Sequence, residues 1–162
     1  MNCYGRPSWD ETWLTVADII AQRSLCSRRK AGIVLVSKDN RVAGTGYNGP
    51  PAGYPLPGAV PCDQWCERAL TGGSLSYDDC PSVHSEPNAL MHSDRKDREG
   101  GTAYITSCPC LTCCKNLANS GIVRVVCRVT AEDKDRHPEV SLEFLRQAGL
   151  TVEVVDSPLY TS

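Results

Sequence analysis

Apolar side chains at Trp9, Trp13, Val16, Ala17 and Ile20 recur every three or four residues, the spacing of one helical face, and predict a helix over about residues 9–23. Ser8-Trp9-Asp10-Glu11, behind Pro7, has the form of a capping box and sets its start. The pattern then changes. Ala31-Gly32-Ile33-Val34-Leu35-Val36-Ser37 is an unbroken apolar run, too short for a typical helix and rich in branched residues, and reads as a buried strand. Lys38-Asp39-Asn40 supplies a turn before Arg41-Val42-Ala43-Gly44-Thr45, so the two runs are expected to pair as a hairpin. From Gly46 to about Pro81 neither period is sustained, because Pro50, Pro51, Gly53, Pro55, Pro57 and Gly58 interrupt both; one short helix fits near residues 66–70. A loop this long in a compact chain is usually functional or held down by something.

Beyond that loop the two periods alternate. Helices are expected over residues 85–92, 110–120 and 138–148, the last two closed by Gly121 and Gly149, and strands over 102–106, 122–129 and 151–155. Repeated strand and helix units imply an α/β fold with parallel pairing and helices on both faces of the sheet. With 162 residues, 41% of them hydrophobic, the chain suffices for one core and not for two, so residues 1–162 are expected to form a single domain carrying the 46–81 loop. No internal repeat interrupts this reading.

Charge and hydropathy narrow the function classes. A net charge of -2 gives no general attraction for a nucleic-acid polymer. No run approaches the roughly 20 apolar residues that span a bilayer, and Met1-Asn2-Cys3-Tyr4-Gly5-Arg6-Pro7 lacks the regions of a signal peptide, so a cytoplasmic location without membrane attachment is expected. In a reducing compartment ten cysteines point to metal ligation more than to disulfides.

Two short motifs carry the chemistry: His84-Ser85-Glu86 and Pro109-Cys110-Leu111-Thr112-Cys113. Cys110 and Cys113, three apart at a predicted helix start, can turn both sulfurs to one side, where the helix dipole favours thiolates. With His84 they make three zinc ligands and leave the fourth tetrahedral position open, as in catalytic rather than structural sites. Glu86 can lie beside the metal without ligating it and shuttle a proton from its water. By itself CxxC is often a structural half-site or a redox pair, and HxE is common by chance. In this order, each at a helix start, the pair matches the signature of zinc-dependent base deaminases.

Over nearly its whole length the sequence resembles the deoxycytidylate deaminases. The likeness lies in residues 6–10 (RPSWD), 22–32 (QRSLCSRRKAG), 46–53 (GYNGPPAG) and 119–122 (NSGI), together with the two zinc motifs. It implies a three-layer cytidine deaminase-like fold, a central five-stranded mixed sheet with helices on both faces, assembly as a homo-hexamer, and conversion of dCMP to dUMP. Two positions depart from the family pattern: Ser85 stands where alanine is usual, and Pro87 follows the glutamate. An early helical position has no intrahelical use for its N–H, so Pro87 is tolerable.

The resemblance extends to the other cysteines. In relatives of similar pattern, a cysteine before the first strand and three in the long loop cluster together; here these are Cys26, Cys62, Cys66 and Cys80, which would form a closed structural zinc site and pin the loop. Free buried thiols are the alternative. Cys3, Cys108, Cys114 and Cys127 have weaker claims, with Cys127 read as core and Cys108 as a buried side chain near the active-site wall. His92 and His137 are expected at helix ends or in solvent.

A nucleotide monophosphate needs donors. Arg28, Arg29 and Lys30 form the densest basic cluster, Asn48 can bond to sugar or phosphate, Ser85 is a further candidate substrate contact, and Tyr104 is a candidate for the base pocket. A solvated face and a packing tyrosine are the bland alternatives. By the resemblance, Tyr47, Asn48 and Gly49 would bind dCTP or dTTP with Mg2+ as effectors. A modified deoxycytidylate, a nucleoside or a base in RNA remain alternative substrates. A zinc-stabilised binding module is the reading from another class, and Glu86 argues against it.

Overall fold

A computed structural model of the chain describes residues 5–72, 79–131, 133 and 137–155. Helix α1 (Trp9–Ala21) begins on the capping box: Ser8 accepts from the Glu11 backbone and the Glu11 side chain accepts from the Ser8 N–H. Strands β1 (Gly32–Val36) and β2 (Val42–Tyr47) form the expected antiparallel hairpin, with a register shift between Leu35 and Val36. The long loop contains a 3-10 turn at Cys62–Gln64 and a short helix α2 (Glu67–Leu70). Then follow α3 (Ser85–Met91), α4 (Arg95–Arg98), β3 (Thr102–Ile105), α5 (Leu111–Ala118), β4 (Arg124–Cys127), α6 (Pro138–Gln147) and β5 (Thr151–Val154).

The five strands form one mixed sheet in the order β2-β1-β3-β4-β5. β1 runs antiparallel to both β2 and β3, whereas β3, β4 and β5 are parallel. Strands β2 and β3 therefore share a direction with β1 between them, and α3 carries the chain across. From there each crossover steps one strand further the same way, through α5 and then α6. Crossovers of one hand that advance in one direction put their helices on one face. The packing agrees: Ala89 of α3, Cys114 and Leu117 of α5, and Leu142 and Leu145 of α6 share a core with Ile33, Leu35, Ala103, Ile105 and Val125. Leu14 and Ala17 of α1 cover the opposite face against Val34, Val36, Tyr104 and Val126. The sheet is thus sandwiched between α1 and the α3–α5–α6 layer. β1 is buried at every position, as its unbroken apolar run predicts.

Two glycines admit this close packing. A Cβ on Gly32 would lie 2.3 Å from the Ala17 carbonyl oxygen of α1, and one on Gly46 would lie 2.3 Å from the Ser85 carbonyl oxygen of α3. The second contact fixes the first turn of α3 against β2. Helix α4 was not expected. Arg95-Lys96-Asp97-Arg98 has no apolar spacing, and α4 exists because Arg98 donates to the Leu90 carbonyl at the end of α3, to Ser93 and to the Ser120 carbonyl after α5.

Candidate active site

Because β2 and β3 run in the same direction, the helices that follow them start at one end of the sheet. His84 is the N-cap residue of α3 and Cys110 that of α5, each in extended backbone and neither making a side-chain cap bond. Cys113, three residues on, stands over the same turn of α5. The donor atoms of His84, Cys110 and Cys113 all lie within 4.8 Å of one another. His84 Nδ1 is 3.6 Å from Cys110 Sγ and 3.5 Å from Cys113 Sγ. The electrostatics suit a cation: the Cys113 thiol donates to Cys110, which lowers the Cys110 pKa to about 4 despite burial, with His84 adding to the shift. The same hydrogen bond, with burial, pushes the Cys113 thiol up. A metal ion bound here would be held by His84, Cys110 and Cys113 and would replace the thiol protons. Two sulfurs and an imidazole nitrogen are a donor set that fits zinc, and leave one tetrahedral position for a non-protein ligand.

Glu86, the second residue of α3, is buried beside the trio and is not one of its donors. Burial pushes its carboxyl above the ordinary range, opposed by its own backbone N–H, by His84 and by the Ser85 hydroxyl, which donates to Glu86 Oε2 at 2.9 Å. Pro87 sits within the first turn, where the first backbone bond of the helix runs from Asn88 N–H to the His84 carbonyl, so the ring interrupts nothing. His84, Glu86 and Cys110 line a cavity whose walls also include Arg28, Arg29 and Asn48. A buried carboxyl, a three-donor metal site and cations in one cavity can hold an anionic molecule and move protons on it.

Residues 7–129 match the family described as the cytidine and deoxycytidylate deaminase zinc-binding region. The chain belongs to this family. The deaminase is 48% identical over 128 residues to the deoxycytidylate deaminase of Mycobacterium phage D29, covering 75% of this chain and 94% of that protein. It is 38% identical over 150 residues to the deoxycytidylate deaminase of Saccharomyces cerevisiae, covering 91% of this chain and 45% of the yeast protein. In three dimensions it resembles the dCMP deaminase of cyanophage S-TIM5, solved with dCMP and dUMP: the TM-score is 0.71 at 27% identity, over 93% of this chain and 98% of that one.

The deaminase draws Cys26, Cys62, Cys66 and Cys80 around the same cavity, less tightly than the trio. Cys62 is held by the segment before β1: its N–H donates to the Leu25 carbonyl at 2.8 Å, and its sulfur accepts from the Ser27 N–H at 3.2 Å. Burial pushes the Cys80 thiol up, and the neighbouring sulfurs of Cys66 and Cys26 push it further.

The GYNG segment ties the site together. Asn48 accepts from the Ala31 N–H at 2.8 Å and donates to the Arg29 carbonyl at 2.9 Å, while Gly49 and Val83 exchange backbone hydrogen bonds at 3.1 and 2.9 Å. Asn88 donates to the Tyr47 carbonyl at 2.8 Å. Asn48 lines the cavity with its amide committed to backbone, and Val83 immediately precedes His84. Arg28 is exposed at the rim. Arg29 Nη2 lies 2.6 Å from Oδ1 of Asp133, a fully buried carboxylate. Asp133 was missed because the acid-rich stretch around it carries no signal for which carboxylate turns inward.

Tyr104 requires a correction. Expected at the base pocket, it lies on the opposite face, because successive β3 residues alternate and Ala103 and Ile105 take the α3 side. Its hydroxyl donates to Asp10 of α1 at 2.8 Å. Cys108 is buried and lines the cavity, Cys127 is core, and Cys3 lies outside the described residues. His92 caps the exposed end of α3, and His137 pairs with Glu139 at the start of α6.

Proposed function

We propose that the chain converts dCMP and water to dUMP and ammonia, with zinc held by His84, Cys110 and Cys113. The carrying observation is that His84 and Cys110 of this trio and the buried Glu86 line one cavity with Arg28, Arg29 and Asn48. Zinc supplies a Lewis acid and a water of lowered pKa. Glu86, poised by burial to accept a proton, would take one from the attacking water and pass it to ring N3 as the oxygen bonds to C4, then carry the oxygen's second proton to the amine as the C4–N bond breaks and ammonia leaves. Arg28 and Arg29 face the 5′-phosphate, and Asp133 holds Arg29 in place. The test follows ultraviolet absorbance with dCMP, CMP, deoxycytidine and 5-substituted dCMP. Rapid turnover of dCMP is expected, and equal turnover of deoxycytidine rejects the phosphate assignment.

A second zinc on Cys26, Cys62, Cys66 and Cys80 belongs to the same reading. It is supported by their placement around one cavity and by the closeness of the Cys66 and Cys26 sulfurs to Cys80, whose thiol burial and these neighbours push up. dCTP or dTTP with Mg2+ would act at Tyr47, Asn48 and Gly49; the Gly49–Val83 bridge places that segment one residue from His84. Assembly as a hexamer in the cytoplasm completes the proposal. No helix among the described residues is long and apolar enough to cross a membrane.

A further inference from the structure

Ser85 occupies a position between two residues of the site, yet its hydroxyl is not needed by the helix that it opens. His84 is the N-cap, and no side-chain cap bond is made at this end of α3. The hydroxyl points instead to Glu86 Oε2, 2.9 Å away. Ser85 is 1% exposed and Glu86 5%, so the bond is made in the wall of the cavity that both residues line. The donor is also fixed. The Ser85 carbonyl rests on Gly46 of β2, with no room between them even for a methyl group.

We propose that Ser85 is a positioning residue for the deamination: its hydroxyl, anchored to the sheet through the Gly46 contact, locks the Glu86 carboxylate in the orientation that faces the pyrimidine. A glutamate side chain has three rotatable bonds, and in a cavity wide enough to admit a nucleotide it must be held to act on one ring nitrogen. A serine hydroxyl carries a single proton, and Ser85 gives it to Glu86, so its donor capacity is spent on the proton carrier.

The inference rests on Glu86 as proton carrier, so Glu86→Gln is measured alongside it. Turnover surviving in Glu86→Gln rejects that assignment whatever Ser85 does. If Glu86→Gln is inactive, three variants at residue 85 decide the rest. Ser85→Ala is expected to lower kcat for dCMP about fivefold to tenfold, with KM and zinc content unchanged. Ser85→Cys fills the space with a weak donor and should behave like Ala, whereas Ser85→Thr keeps the hydroxyl and should recover most of kcat. Crystals of zinc-loaded Ser85→Ala should show the Glu86 side chain turned or split between conformers. A kcat within twofold of the parent, an unchanged single Glu86 conformer, or rescue by Cys as complete as by Thr overturns the proposal. Should the Thr variant fail to fold, the Ala and Cys variants and the crystal structure decide alone.

Discussion

Replacing Gly46 by alanine adds one methyl group at the point where β2 touches the first turn of α3. That Cβ would sit 2.3 Å from the Ser85 carbonyl oxygen, 2.6 Å from the Ala89 nitrogen and 3.0 Å from the Ala89 Cβ, whereas ordinary contact begins at 3.4 Å. The obstruction is backbone on both sides, so no side chain can swing aside. Helix α3 must retreat by about 1 Å, the gap between those distances. Overpacking of this kind costs about 1–3 kcal/mol, and at this chain length each kcal/mol lowers Tm by about 2–4 °C. The larger effect is on the reaction. His84 and Glu86 ride on that turn, and a displacement of 1 Å from the productive geometry can cost about a hundredfold in rate. The assay is kcat/KM for dCMP on folded, zinc-loaded protein, with thermal unfolding in parallel. A variant that keeps kcat/KM within threefold and Tm within a degree would refute the argument that the β2–α3 contact places the site.

Four further outcomes follow from particular groups. Cys110→Ser replaces a thiolate by a poor zinc ligand and should lose the catalytic metal with all measurable activity; retained zinc and turnover would remove Cys110 from the ligand set. Cys66→Ser should lose the second zinc while keeping the first, and should destabilise the loop, as read by metal analysis and proteolysis; unchanged zinc content refutes the second site. Asp133→Asn leaves Arg29 without its buried anionic partner and should cost about 3 kcal/mol in urea unfolding, with a raised KM for dCMP and none for deoxycytidine. Burial and the neighbouring Asp10 carboxylate push the Tyr104 hydroxyl up to about 12. Since the folded value exceeds the unfolded one, that stabilisation is complete below about pH 10 and is lost as pH rises toward about 12. Urea unfolding across that window should fall more steeply for the parent than for Tyr104→Phe, and equal slopes would refute it.

The trio and Glu86 were legible because metal chemistry demands particular atoms at particular separations, and those separations fall within single helical turns. The strands were legible for a similar reason, since β1 is buried on both faces and reads as an unbroken apolar run. What could not be read is what depends on partners distant in sequence. The face chosen by Tyr104 is set by which helix covers which side of β3, a matter of crossover hand rather than of local pattern. The pairing of Arg29 with Asp133 joins two ends of the chain, and α4 exists through the bonds of Arg98 to segments on either side. The bond of the Ser85 hydroxyl to Glu86 Oε2 was not legible either, because sequence neighbours give no sign of how their side chains are turned.

The Gly49–Val83 bridge joins the two ends of the 50–82 stretch beside His84, so the length of chain between them does not bear on where His84 stands. Doubling that length would add only about 0.6 kcal/mol of closure entropy. Content is another matter, because Cys62, Cys66 and Cys80 lie within the stretch and line the cavity. The stretch therefore tolerates insertion ahead of Cys62 and resists replacement beyond it.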